Sequence, residues 1–215
     1  LYRLFHEAAD QVDLCGSDIL KGLREAVEGC YSHWFIDQLA QSWGGCIEAA
    51  NGDGLLKAWR IAGISAQQDF YQSVVVPALK QYPQGRIFVI ISDGLRYEVA
   101  SELAKELKSR NRLEVEIKTQ LGVLPSITSL GMAALLPHQR LGFKSNGEVL
   151  VDSKPVATLE QRSTVLAAVQ GTALKAEELQ AMNRNDGREA VKPWRVVYLY
   201  HDQIDTTGDT ASSES

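Results

Sequence analysis

The strongest constraint on the fold is a short apolar run that ends on an aspartate. Residues 86–92 read RIFVIIS, and Asp93-Gly94 follows directly. Such a run is typical of a strand that is buried on both faces of a parallel sheet. Residues 95–110 then carry apolar side chains at a spacing of three to four, which predicts a helix. An aspartate between such a strand and helix either places a functional group at the carboxyl edge of a sheet or makes an ordinary turn.

Two different patterns divide the rest of the chain. Residues 1–80 show helical periodicity, interrupted by a breaker at residues 51–54, and they predict a helical lead-in region. Most of its aromatic residues are expected to pack in a core: Trp34, Phe35, Trp43, Trp59, Phe70 and Tyr71. From residue 81 to residue 215, strand and helix patterns alternate. This alternation predicts an α/β domain with a mostly parallel sheet and crossover helices.

Further elements of the α/β region can be assigned from local patterns. Asn146-Gly147 between strand formers predicts a β-hairpin. The other predictions are a strand at 113–121, a helix at 126–136, a helix at 164–182, a polar loop at 183–194 and a strand at 195–201.

Charge and cysteine content narrow the class of protein. The 215 residues include 22 basic and 27 acidic side chains, and the resulting formal charge of -5 argues against a dedicated nucleic-acid-binding module. It does not exclude an enzyme that acts on phosphorylated substrates, because a bound metal can supply positive charge locally. Three cysteines without a CxxC motif indicate reduced thiols in a cytoplasmic protein. No apolar run approaches the roughly 20 residues needed to cross a membrane.

Oxygen and nitrogen ligands follow three of the predicted strands or open the next helix. They are Asp93, then Ser126, Thr128 and Ser129, then His201, Asp202, Asp205 and Asp209. In a parallel sheet these positions point to the same edge, so we expect them to converge. Crowded carboxylates repel one another unless a cation relieves them, and zinc, manganese or magnesium suits such a site.

Each group alone also has an ordinary interpretation. Asp93-Gly94 is a common turn, and Ser126 or Thr128 is a typical helix N-cap. Asp205 and Asp209 are also compatible with a solvated loop that contains a capping aspartate.

Four blocks of sequence, in order, resemble the PglZ family, the alkaline-phosphatase-superfamily proteins of BREX phage-resistance systems, and in particular its type A members. The blocks are QQDFYQSVVVPALK (67–80), FVIISDGLRYEVASEL (88–103), LPSITSLGMAALLPH (124–138) and VVYLYHDQIDTTGD (196–209). The resemblance implies an alkaline-phosphatase-like fold with two divalent cations, zinc foremost and manganese or magnesium as alternatives.

The resemblance also implies roles for individual residues. Asp93 and Asp205 match metal ligands of the superfamily, and Thr128 matches the nucleophile, which also contacts metal. Asp209 is a further expected metal ligand, and it stands where many relatives have histidine. His201 belongs to the family's Tyr-His block and is expected to be either a ligand or a partner of one.

Two further residues are expected to bind the substrate. Ser126 lies beside the predicted nucleophile, and Arg96 is placed to bind a phosphate bidentately. A surface ion pair of Arg96 with Glu98 or Glu102 is the alternative.

The function implied by the resemblance is a metal-dependent phosphohydrolase that acts on a phosphodiester or phosphomonoester, with nucleic acid or oligonucleotides as a substrate class. The alternative is a non-catalytic scaffold of the defence complex, whose helical region docks the methyltransferase or ATPase. A nucleotide-binding module is disfavoured because no GxGxxG follows the first core strand. The superfamily's later Asp-His-Gly block is absent, so we expect a truncated piece that carries half of a binuclear site and has little activity alone.

Overall fold

The computed structural model describes residues 2–16, 18–52, 54–110 and 113–211, with the side chains of the last helix described as far as residue 208. The chain forms two compact units, residues 1–59 and residues 60–215. Residues 60–80, which the sequence pattern groups with the helical lead-in, lie in the second unit. The domain boundary near residue 80 stays a prediction.

The first unit is helical, as its periodicity predicts. Its elements are α1 (Tyr2–Leu14), α2 (Lys21–Cys30), a π-helical turn (Tyr31–Phe35), α3 (Ile36–Asn51) and α4 (Leu55–Ala58). Tyr2 stacks on Tyr31 with ring centroids 4.0 Å apart. Arg24 of α2 forms ion pairs with Asp10 and Asp13 of α1 at 2.7 and 3.0 Å. These contacts join α1 to α2.

The aromatic residues of the first unit do not form the predicted core. Trp34 is 61% exposed and Trp43 is 50% exposed, and Phe35 and Leu39 beside them are exposed as well. We call these four residues the aromatic surface. Among the described residues of α1 to α4, the buried side chain is Ala9. The expectation is confirmed for Tyr71, which is buried in the core of the second unit with Phe70 packed against that core. It fails for Trp34, Phe35 and Trp43, because helical periodicity predicts an apolar stripe without specifying what covers it.

The second unit is built around a three-stranded parallel sheet. Its strands are β2 (Ile87–Ser92), β7 (Gly171–Lys175) and β8 (Val196–His201), and the order is β2-β8-β7. The first five residues of β8 are buried. The predicted strands at 86–92 and 195–201 are therefore confirmed, and the fold class is mixed α/β with parallel sheets and an N-terminal helical segment.

The strand β7 corrects the prediction of a continuous helix at 164–182. Helix α8 (Leu159–Ala167) ends before β7, and α9 (Ala176–Ala181) follows it. A Cβ at Gly171 would lie 3.0 Å from the carbonyl oxygen of Val196, so the close approach to β8 favours glycine. Ser163 Oγ accepts a hydrogen bond from the Ala173 amide at 3.0 Å. Pairing with β8 overrides the local helical pattern.

Residues 183–194 also differ from their prediction as a polar loop. Residues Arg184–Val191 form α10, and the Asn183 side chain accepts hydrogen bonds from the amides of Asn185 and Asp186, both at 3.0 Å. This N-cap satisfies donors at the start of a helix that has few apolar residues.

The strand β2 lies at the edge of the sheet, which corrects the prediction that it is buried on both faces. Val89 is buried, but Phe88 is 45% exposed and Ile90 is 66% exposed. Helix α6 (Tyr97–Arg110), which follows β2, has no buried residue. One face of β2 therefore packs on the core, while the other face is exposed to solvent within the described chain.

The strand predicted at 113–121 forms only at its end. Gln120–Leu121 make β3, which pairs in parallel with β1 (Ser65–Ala66), and residues 113–119 have no regular secondary structure. The predicted hairpin is confirmed. Strands β4 (Leu141–Phe143) and β5 (Val149–Val151) are antiparallel, and β6 (Lys154–Pro155) extends the sheet.

The second unit contains further helices and helical turns. They are a 3-10 turn (Gln67–Asp69), a π-helical turn (Tyr71–Val75), α5 (Val76–Gln81), α7 (Thr128–Ala134) and α11 (Gln203–Ala211). None of the described helices is long and apolar enough to span a bilayer. Cys15, Cys30 and Cys46 are free thiols, as predicted.

Tyr198 anchors the core of the second unit. Its side chain is fully buried in β8, and its hydroxyl donates a hydrogen bond of 2.6 Å to the carbonyl of Leu135, just after α7. Burial raises the pKa of this phenol well above its ordinary value, so the hydroxyl stays a donor. The bond ties the central strand to the segment that carries Thr128.

Replacing Tyr198 by phenylalanine is expected to lower the free energy of unfolding by about 1–2 kcal/mol, because the Leu135 carbonyl loses its donor. Urea denaturation measures the change. Tyr82→Phe, at an exposed position, is the matched control and should change it by less than about 0.5 kcal/mol. Equal stability of both variants would contradict the role of this hydrogen bond.

Candidate functional site

The carboxyl ends of β2 and β8 coincide, because the two strands pair with Ser92 opposite His201. The amide of Asp93 donates to the carbonyl of His201 at 2.9 Å, which extends the pairing one residue beyond the strand. The Asp93 carboxylate accepts a hydrogen bond from the Gly94 amide at 3.1 Å. Asp93 is thus held at the strand end, half-buried, as the first residue of a tight turn.

Gly94 brings this turn against the start of α11. It has a φ of +72°, and a Cβ at this position would lie 3.2 Å from both the Cα and the amide nitrogen of Asp205. Asp205 is in the first turn of α11, so the interpretation of residues 205–209 as a solvated loop is wrong. The fold therefore brings the neighbour of Asp93 into contact with Asp205. Asp93 and Asp205 are two of the predicted metal ligands.

Asp209 follows Asp205 by four residues in α11, a spacing that places both on one face of the helix. The backbone of Asp209 belongs to the helix, and its side chain lies outside the described residues. Its predicted ligand role stays a prediction.

His201 contacts two side chains that the sequence did not single out. Its Nδ1 lies 2.9 Å from Ser92 Oγ, and its Nε2 lies 4.0 Å from a carboxylate oxygen of Glu177 in α9. Ser92 is detectable as the last residue of the predicted strand. Glu177 was missed because the preceding strand, β7, was interpreted as helix.

Tyr200, the residue before His201, is buried against the core. Burial raises its pKa to about 12, while the guanidinium of Arg162, 4.4 Å from the ring centroid, opposes that shift. The phenol is therefore neutral at physiological pH and contributes no charge to this edge of the sheet.

Thr128 is the first residue of α7 and is exposed, as is Ser126. The N-cap of α7 is Ile127, so the interpretation of either hydroxyl as the N-cap is wrong. The helix is tied to the 3-10 turn at 67–69 by Gln67, whose amide donates to the carbonyl of Gly131 at 3.1 Å. The approach of Thr128 to Asp93 and Asp205 stays a prediction.

Arg96 lies directly before α6 and is exposed. Its carbonyl accepts the first bond of that helix, from the Ala100 amide at 3.0 Å. The binding of a phosphate by its guanidinium stays a prediction.

The described side chains fit only part of a metal site. Among them, no three histidine, cysteine or acidic side chains form a group that could hold a metal ion. The carboxylates of Asp93 and Asp205 are oxygen donors of the type that divalent cations prefer. Further ligands are needed to complete the coordination.

Comparison with known proteins adds to this geometry. The protein family described as "BREX system PglZ alkaline phosphatase-like domain" matches residues 70–215. The chain is 42% identical over 215 residues to "Alkaline phosphatase-like protein BrxZ" of Escherichia coli O9:H4 (strain HS) and 39% identical to "Alkaline phosphatase-like protein PglZ" of Bacillus cereus (strain H3081.97). These similarities cover 99% of the chain and 24% of each relative, so the chain spans about a quarter of the length of the curated relatives it matches. No solved structure matches the chain.

The contact between Gly94 and Asp205 can be tested with a pair of glycine substitutions. Gly94→Ala and Gly147→Ala both place alanine at a positive φ, which costs about 1–2 kcal/mol. Only Gly94→Ala adds a clash with backbone, because the space around Gly147 is open. We expect Gly94→Ala to lower the free energy of unfolding by at least about 1 kcal/mol more than Gly147→Ala. Urea denaturation that gave equal losses would contradict the close approach.

Proposed function

Because the chain belongs to the PglZ family of BREX-system alkaline phosphatase-like proteins, we propose that the protein is a metal-dependent phosphohydrolase. The observation that carries the proposal is the contact of the Asp93-Gly94 turn with Asp205 at the carboxyl edge of the sheet. Ligand sites of open α/β sheets occupy this edge. At this edge the Gly94 turn, which follows Asp93, packs on the backbone of Asp205 in the first turn of α11.

Asp93 and Asp205 are the proposed cation ligands, with Asp209 and the Thr128 hydroxyl adding donors. A divalent cation supplies Lewis-acid charge, which stabilises the deprotonated form of a hydroxyl bound to it. Zinc is the first choice, manganese and magnesium are alternatives, and a second ion would need ligands beyond those described.

Thr128 is the proposed nucleophile. Its exposed position at the start of α7 leaves the hydroxyl accessible, and a threonine requires activation to attack phosphorus. Arg96 and Ser126 are proposed to bind the phosphate oxygens, Arg96 through its planar pair of N–H donors. The substrate class is a phosphodiester or phosphomonoester, with nucleic acid or oligonucleotides included. Because the formal charge is -5, cations or other parts of the protein must supply most of the attraction for a polyanion.

Replacing Thr128 by alanine in the full-length protein is expected to lower kcat for a nitrophenyl phosphodiester at least about a thousandfold, because the nucleophile is lost. Zinc or manganese is added in the assay. Thr164→Ala, at an exposed threonine of α8 whose hydroxyl donates to the carbonyl of Glu160, is the control and should keep wild-type turnover. Retained turnover in Thr128→Ala would place the nucleophile elsewhere.

A second function, docking within the defence complex, is favoured by one observation. The aromatic surface on the first unit exposes two tryptophans, a phenylalanine and a leucine on successive helical turns. Exposed aromatic clusters of this type commonly bind other proteins. We propose the methyltransferase or the ATPase of the BREX system as the partner, and this role is compatible with catalysis by the second unit.

Trp34→Glu and Trp43→Glu are each expected to weaken binding of that partner about thirtyfold, the loss typical of a tryptophan at the centre of an interface. Binding is measured by interferometry with the separately purified methyltransferase and ATPase. Leu14→Glu, which also replaces an exposed apolar residue of the first unit, should leave the affinity unchanged. Wild-type affinity in both tryptophan variants would exclude the aromatic surface as the docking site.

A further inference from the structure

We propose that Ser92, His201 and Glu177 form a positioning unit that holds Asp93 and Asp205 in place, and that His201 acts through this unit and not as a metal ligand. The inference rests on the proposed function, because it concerns residues that support the same site. Its structural part, the coupling of three strand ends, is independent of any bound cation.

His201 holds the end of β2 in two ways. Its side chain meets Ser92, with Nδ1 2.9 Å from Ser92 Oγ, and its main-chain carbonyl accepts the amide of Asp93 at 2.9 Å. Ser92 and His201 are also register partners at the last position of their strands. Side chain and backbone therefore link the same two positions.

The residues held by this link are the ones that precede the proposed ligands. Asp93 follows Ser92 directly, and α11, which carries Asp205, begins two residues after His201. The Gly94 turn then packs on Asp205. A change in the distance between Ser92 and His201 would thus change the separation of the two acids. Groups that orient metal ligands typically affect metal affinity 10- to 100-fold.

Glu177 extends the link to the third strand. It lies in the first turn of α9, directly after β7, and its Oε1 is 4.0 Å from His201 Nε2. This oxygen is inaccessible to solvent and has no hydrogen-bond partner among the described residues. A buried acceptor without a donor is unfavourable, and the imidazole is the donor group that faces it.

Both ring nitrogens of His201 consequently face protein groups. A histidine ligand needs an unprotonated nitrogen directed at the metal, with its other nitrogen oriented by a neighbour. Here Nδ1 is 2.9 Å from Ser92 Oγ and Nε2 is 4.0 Å from Glu177 Oε1. The side chain is largely buried, with 23% of its surface exposed. This arrangement suits a residue that orients the strand ends.

The test compares Ser92→Ala, His201→Ala and their double variant in the full-length protein. Zinc and manganese affinities are measured by calorimetry. Each single variant should weaken binding at least tenfold, and the double variant should lose little more than either one, because the two residues act as a unit. Ser73→Ala is the matched control, since Ser73 Oγ donates to the carbonyl of Asp69, four residues earlier in the chain. It should retain wild-type affinity.

Two replacements of His201 separate positioning from ligation. Asparagine places a polar atom near Nδ1 and keeps the contact with Ser92, whereas glutamine reaches toward the position of Nε2. His201→Asn should therefore bind metal more tightly than His201→Gln. Glu177→Gln should weaken binding severalfold, and Glu178→Gln, its exposed neighbour in α9, should not. Tighter binding by His201→Gln, with no effect of Ser92→Ala, would overturn the proposal in favour of ligation through Nε2.

A measurement without metal completes the test. Hydrogen–deuterium exchange of the metal-free protein is followed in peptides spanning residues 88–97 and 199–207. Ser92→Ala and His201→Ala should each speed exchange in both peptides, and Ser73→Ala in neither. Unchanged exchange and affinity in both variants would overturn the positioning unit while leaving the proposed function intact. A wild-type protein that binds no metal would overturn the proposed function, whereas coupled exchange in that protein would still support the link.

Discussion

The parallel pairing of β2 with β8 is the interaction on which the candidate site depends. The register places Ser92 opposite His201, and the bond from the Asp93 amide to the His201 carbonyl carries the pairing past the strand end. Because both strands run in the same direction, their next residues leave from the same edge. Gly94 then allows the first of these segments to touch the second at Asp205 without a Cβ in between.

The two paired strands are buried to different extents in the second unit. One side of β8 packs into a core that includes Tyr198, and the other contacts a smaller cluster that includes Val197. Beside it, β2 leaves Phe88 and Ile90 exposed within the described chain. The well-buried central strand β8 therefore fixes the position of the site at the strand ends. The edge strand that carries Asp93 is covered less well.

Local sequence predicted those elements whose pattern agrees with their final packing. The strands at 86–92 and 195–201 have long apolar runs, and Asn146-Gly147 has the chemistry of a hairpin turn. The prediction failed at β7, where GTALK has no strong strand preference and is defined by its partner β8. It failed again at residues 113–119, whose alternating pattern has no partner strand among the described residues. A strand needs a neighbour, and a single segment does not specify one.

The candidate site divides in the same way. The sequence by itself determined the chemical types and the order of Asp93, Thr128, His201 and Asp205, together with the strand ends that carry Asp93 and His201. Only the tertiary structure decided that Gly94 contacts Asp205 and that His201 lies between Ser92 and Glu177. The physical reason is that residue type and periodicity are local properties. The meeting of residues 92, 177 and 201 depends on strand order and register, which arise from packing between distant segments.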